Sequence, residues 1–174
     1  MSGLLLGLAA ATVLAAAPPE EKKEAAVVKE KAEEMCKLFL KGDFKKFADF
    51  TPPTIVEAAG GRDKFADFLA EGVKGMKAKG TDFRSMKVAD PTDSATVGGE
   101  RYVVVPYVLE MKVPGGTVTV KTYFIAFSAD KGKTWTFADG AGLKDEEKRK
   151  KVFPNFPEKL KLPKVEEPVF EKDK

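Results

Sequence analysis

The residues of this chain best suited to chemistry are two phenols and a carboxylate: Tyr107, Tyr123 and Asp139. A carboxylate beside Tyr hydroxyls in a half-dry pocket can move a proton next to a carbonyl, with the carboxylate as base and a phenol donating to the developing enolate. Other chemistries are closed off. The chain has no histidine and one cysteine, Cys36. That excludes Ser-His-Asp and Cys-His catalysis, His-ligated zinc and imidazole proton shuttling. A single thiol forms neither an intramolecular disulfide nor a thiolate metal site. No metal and no organic cofactor is expected, and Cys36, on the apolar side of a predicted helix, reads as buried and inert.

Three strands must bring those residues together. Residues 101–113, 117–128 and 134–139 are rich in β-branched and aromatic side chains and are separated by turn sequences. If Pro114-Gly115-Gly116 pairs Val113 with Thr117, Tyr107 lies opposite Tyr123. If the next turn pairs Ser128 with Thr134, Tyr123 lies opposite Asp139. One face then stacks Val103, Phe127 and Trp135, next Val105, Ile125 and Phe137, and last Tyr107, Tyr123 and Asp139. The apolar members mark the core side, so the polar row falls at the mouth of a cavity, where all three residues are candidates for touching a ligand. Two structural readings stand beside the catalytic one. The hydroxyls satisfy each other, Asp139 or water, and Asp139 caps the Gly140-Ala141-Gly142 turn. A one-residue slip removes the constellation.

The preceding sequence reads as helical. Residues 20–41 place Val28, Ala32, Met35, Cys36, Phe39 and Leu40 at steps of three and four. Gly42 ends this helix, and Asp43 caps a short one carrying Phe44, Phe47 and Phe50. Pro52-Pro53 stops it, and residues 55–59 form a further turn of helix. Gly60-Gly61-Arg62 lacks the strand before it and the Lys-Ser/Thr after it that a phosphate loop needs, so it reads as a turn into another helix. That helix carries Phe65, Phe68, Leu69, Val73 and Met76 and ends at Gly80. Short strands at 83–88 and 95–97 follow. Helices first, then a strand meander, predict an α+β fold with an antiparallel sheet. The long strands should bend, with a bulge near Pro106.

The opposite sheet face is also apolar, through Tyr102, Val104, Val108, Val118, Val120, Phe124 and Ala126, so it needs a second cover. A second copy of the chain is the expected cover, giving a homodimer through the outer face. The tail, with Phe153, Phe156, Leu160 and Leu162, is expected to contribute or to replace it. Residues 144–151 hold Asp145-Glu146-Glu147 before Lys148-Arg149-Lys150-Lys151, which reads as a short solvated helix.

Size and charge frame these readings. The chain has 174 residues, 43% hydrophobic, with 30 basic and 27 acidic side chains. That suits one domain and is too balanced for a nucleic-acid partner. Residues 4–17 are an uncharged run ending in Ala15-Ala16-Ala17, short of the about 20 residues that span a bilayer. They read as a signal segment, although no Lys or Arg precedes them. The expected organisation is a signal peptide at 1–17, a domain at 18–143 and a docking tail at 144–174. The mature protein is expected to be exported to a periplasmic or extracellular space, with no stable membrane insertion.

The helix order, the junction Leu40-Lys41-Gly42-Asp43-Phe44 and the strand meander resemble the nuclear transport factor 2-like superfamily over residues 20–142. Gly60-Gly61-Arg62-Asp63-Lys64, Val113-Pro114-Gly115-Gly116 and residues 133–143 are similar to segments of secreted bacterial members. The resemblance implies a cone-shaped roll around a cavity. It leaves activity open, because that superfamily includes isomerases, cyclases and non-enzymatic cavity domains. Ser128-Ala129-Asp130-Lys131-Gly132-Lys133-Thr134-Trp135 also matches the Asp-box of sialidases and related propellers. Propellers repeat that motif once per blade, and a single copy in a chain of this length reads as a turn device. The functional expectation is a non-enzymatic exported domain that binds a small apolar or amphipathic ligand or serves in assembly. The alternative is a cofactor-free isomerase or cyclase of the ketosteroid-isomerase type.

Overall fold

A computed structural model describes residues 19–174. The expected signal segment lies outside the described residues. Four helices come first: α1 (Pro19–Lys41), α2 (Phe44–Phe47) with a 3-10 turn (Ala48–Phe50), α3 (Pro53–Ala58) and α4 (Arg62–Ala78). Strands β1 (Asp82–Val88), β2 (Asp93–Val97), β3 (Glu100–Val113), β4 (Gly116–Ser128) and β5 (Thr136–Asp139) follow, then α5 (Glu146–Val152) and β6 (Val169–Lys172). The α+β class and the antiparallel sheet are as expected from the order of periodicities.

The sheet is built on the long β3–β4 hairpin. β1 and β2 lie end to end along the free edge of β3, and β5 and β6 along that of β4. β3 and β4 pair without interruption, so there is no bulge at Pro106. Pro106 accepts from the Ala89 N–H through its carbonyl. In a strand the N–H and C=O of one residue point the same way, so its missing donor faces the gap between β1 and β2 and costs no ladder bond. The irregularity sits in β1, between Phe83 and Ser85.

Both expected registers are corrected by one residue. Val113 pairs with Gly116, not Thr117, because Pro114-Gly115 closes the hairpin in two residues with Gly115 at φ 80°. Phe124 pairs with Asp139, because residues 129–135 are held in a loop and Thr134 never joins the ladder. The first slip inverts β4, and the second restores β5. The inner face therefore carries Val103, Val105 and Tyr107 with Phe124, Ala126, Trp135 and Phe137. Phe124 and Ala126, expected outside, are inside. Tyr123 and Ile125 are outside.

Helix α1 lays Val28, Ala32, Met35 and Cys36 on the inner face, and Phe47 and Phe50 pack at its margin. Burial pushes the Cys36 thiol up to about 12. The outer face, Tyr102, Val104, Tyr123 and Ile125, is covered by Leu143, Phe153 and Leu160. The docking tail is thus a cover of that face. Its last strand, β6, lies across Gly116, where a Cβ would collide with the Glu171 carbonyl and the Phe170 ring.

Candidate functional site

Tyr107 and Asp139 meet despite the changed register. The two one-residue slips leave them one step apart diagonally, within reach of a long side chain. The Tyr107 hydroxyl donates to Asp139 Oδ2 at 2.6 Å, and Asp139 Oδ1 accepts from the Gly142 N–H at 3.0 Å. The Tyr107 ring stacks on Phe124 at 3.9 Å between centroids and is 5% exposed. Burial first, and the Asp139 carboxylate second, raise the phenol far above its ordinary range. Asp139 itself is exposed.

Tyr123 does not join them. It lies on the outer face, where its ring fills the space a Cβ at Gly140 would need and its carbonyl accepts from the Gly140 N–H at 2.8 Å. Burial raises its hydroxyl as well. Sequence reasoning missed Thr122, which pairs with Tyr107 and has a buried hydroxyl with no partner within the described protein. The correct parity of β4 was the signal that would have found it.

The arrangement binds structure together more directly than it handles a substrate. Asp139 ties β3 to the 140–142 turn, and each of its oxygens already accepts a bond. Its exposure denies it the apolar surroundings that turn a carboxylate and a phenol into an isomerase site. On the inner face, Val28, Ala32, Met35 and Cys36 of α1 share one packed cluster with Val103, Val105, Phe124 and Ala126.

The 128–135 loop is likewise a folding device. Asp130 Oδ1 accepts from the N–H groups of Lys133 at 3.1 Å and Thr134 at 2.9 Å and from the Ser128 hydroxyl at 2.8 Å. Asp130 Oδ2 takes the Thr134 hydroxyl at 2.7 Å. These bonds, the Thr134 N–H foremost, hold the carboxyl down at about 2. Lys131 and Gly132 both adopt positive φ. The Trp135 indole donates to the Gly132 carbonyl at 3.1 Å, and its body is buried against the inner core. Phe127, its expected neighbour, lies on the outer side near Phe153.

An apolar opening remains elsewhere. A groove of about 290 Å³ lies where the end of α1, α2, α4 and β1 converge. Gly42, at φ 75°, turns the chain there, and the Asp43 carboxylate caps α2 by accepting the Lys46 N–H at 3.3 Å. Arg62 holds the start of α4 against this corner through the Lys45 carbonyl at 3.0 Å and Asp49 at 2.6 Å. Phe39, Phe44, Val73 and Phe83 form the walls, and Phe39 meets Phe44 and Phe83 edge to face at 5.7 and 5.1 Å. Two grooves of about 300 and 450 Å³ beside the first half of α1 mix charged side chains, among them Lys22, Glu24, Glu30 and Asp90, with the apolar surface of Ala25, Ala26, Pro91 and Val103, and neither has an aromatic wall. Of the helix α4 apolar set, Phe65 is buried and Leu69 and Val73 are half-buried, while Phe68 stands 71% exposed.

No family model, curated protein or solved structure matches the chain.

Proposed function

We propose that this protein is an exported, non-catalytic domain that binds a small apolar or amphipathic ligand in the groove between α1, α4 and β1. The observation that carries the reading is the groove wall of Phe39, Phe44, Val73 and Phe83. Apolar walls with a few polar groups at the rim are the usual make-up of a small-molecule site. The isomerase alternative has less behind it, because Asp139 is exposed and bonded through both oxygens. The helix order followed by the meander supports placing the chain with the nuclear transport factor 2-like superfamily. The uncharged run at 4–17 supports export, which N-terminal sequencing of the mature protein from its host tests: a retained run would refute it.

The binding test is native mass spectrometry of the protein purified from its own host, alongside the Val73→Glu variant. The expected result is a small bound molecule on the wild type that is absent from the variant. Equal retention by the two would remove the groove from consideration.

A further inference from the structure

We propose that the ligand of this groove is anionic: a single-chain alkyl carboxylate whose head lies at Lys41 and Lys74. This rests on the binding reading above and adds the chemistry of the head group. Three lysines, Lys41, Lys74 and Lys77, and one carboxylate, Asp82, stand around the apolar walls. Asp82 is already neutralised, lying 3.8 Å from Lys77 and 3.4 Å from Arg84. Lys41 and Lys74 have no carboxylate within salt-bridge distance among the described residues. The rim thus carries an uncompensated positive charge over an aromatic floor.

That combination selects an anion with an apolar chain. The floor rewards removal of methylenes from water, and the ammonium groups favour an ionised head through charge-assisted hydrogen bonds. Long lysine stems can lie along the apolar wall while their charges stay at the water boundary. Size narrows the class further. At about 290 Å³ the groove sits at the lower end of small-molecule sites, roughly 300–1,000 Å³, which suits one chain rather than a two-chain lipid.

The experiment is a titration followed by amide proton–nitrogen correlation spectra, with sodium decanoate, 1-decanol and decyltrimethylammonium as probes. Decanoate should shift the resonances of Leu40, Lys41, Val73 and Lys74 and bind more tightly than the other two. In the Lys41→Glu/Lys74→Glu double variant, decanoate should bind about tenfold more weakly or worse, while decanol affinity stays the same. In Val73→Glu, which keeps the lysines, both should lose binding. Decanol binding as tightly as decanoate, with no effect of the lysine reversal, overturns the anionic head and leaves the apolar groove standing. Failure of all three probes to move the groove resonances in a folded protein overturns both.

Discussion

Single residues in this protein hold more structure than chemistry. Tyr107 links the centre of β3 to the end of β5 through one short bond to Asp139. Tyr107→Phe should lower stability by about 1.5 kcal/mol, because a bond to a charged group is lost while the carboxylate stays open to water. Urea unfolding measures this, and decanoate binding at the distant groove should not change. Asp130 makes a pH prediction. Its carboxyl is held at about 2, below its ordinary 3.8. Its contribution is therefore complete above the ordinary value and is lost as pH falls from about 4 through about 2. The thermal midpoint of the wild type should exceed that of Asp130→Asn at pH near 5, and the gap should close on acidification. A constant gap would mean that the charge of Asp130 contributes nothing to the loop.

Elements are joined here by one large side chain and by the absence of another. Trp135 begins the return from the 128–135 loop and is buried on the inner core. Trp135→Ala should cost about 3–5 kcal/mol, read by chemical denaturation, and a wild-type midpoint would refute its role as an anchor. Gly116 lets β6 lie on β4 because no side chain separates them. Gly116→Val should release β6, so the amides of residues 169–172 should lose protection in hydrogen exchange while β3 keeps its own. Retained protection at 169–172 would show that the strand tolerates a side chain beneath it.

At the scale of the whole molecule, one sheet carries two cores, and the two covers differ in kind. Helix α1 covers the inner face, and the segment after β5 covers the outer face with Leu143, Phe153 and Leu160. The homodimer expected through the outer face would have to accommodate or displace that cover. Removing residues 152–174 uncovers Tyr102, Val104 and Ile125, which are fully buried in the intact chain. The truncated protein should self-associate in sedimentation velocity while the full chain stays monomeric. Dimers of both forms that Val104→Lys splits would establish the sheet face as an interface in spite of the tail.

Much of this was legible from residue order. The 3.6-residue spacing of Val28, Ala32, Met35 and Cys36 identified the buried side of α1. The turn residues at Gly42, Gly80, Pro114-Gly115 and Gly132 marked where elements end, and the absence of histidine narrowed the chemistry before any fold was known. These are local properties, set by backbone sterics and by which side of a helix is apolar. Strand parity is not local. Val118, Phe124 and Ala126 are as apolar as Tyr123 and Ile125, so alternation along β4 names no preferred face. The choice follows from whether Pro114-Gly115 closes the hairpin in two residues or three and from how tightly Asp130 winds its loop. A one-residue difference moved Tyr123 out of the site, while the second slip returned Asp139 to Tyr107. The groove was equally invisible in sequence, because Phe39, Val73 and Phe83 come from three elements, and tertiary packing decides which of their surfaces stay uncovered.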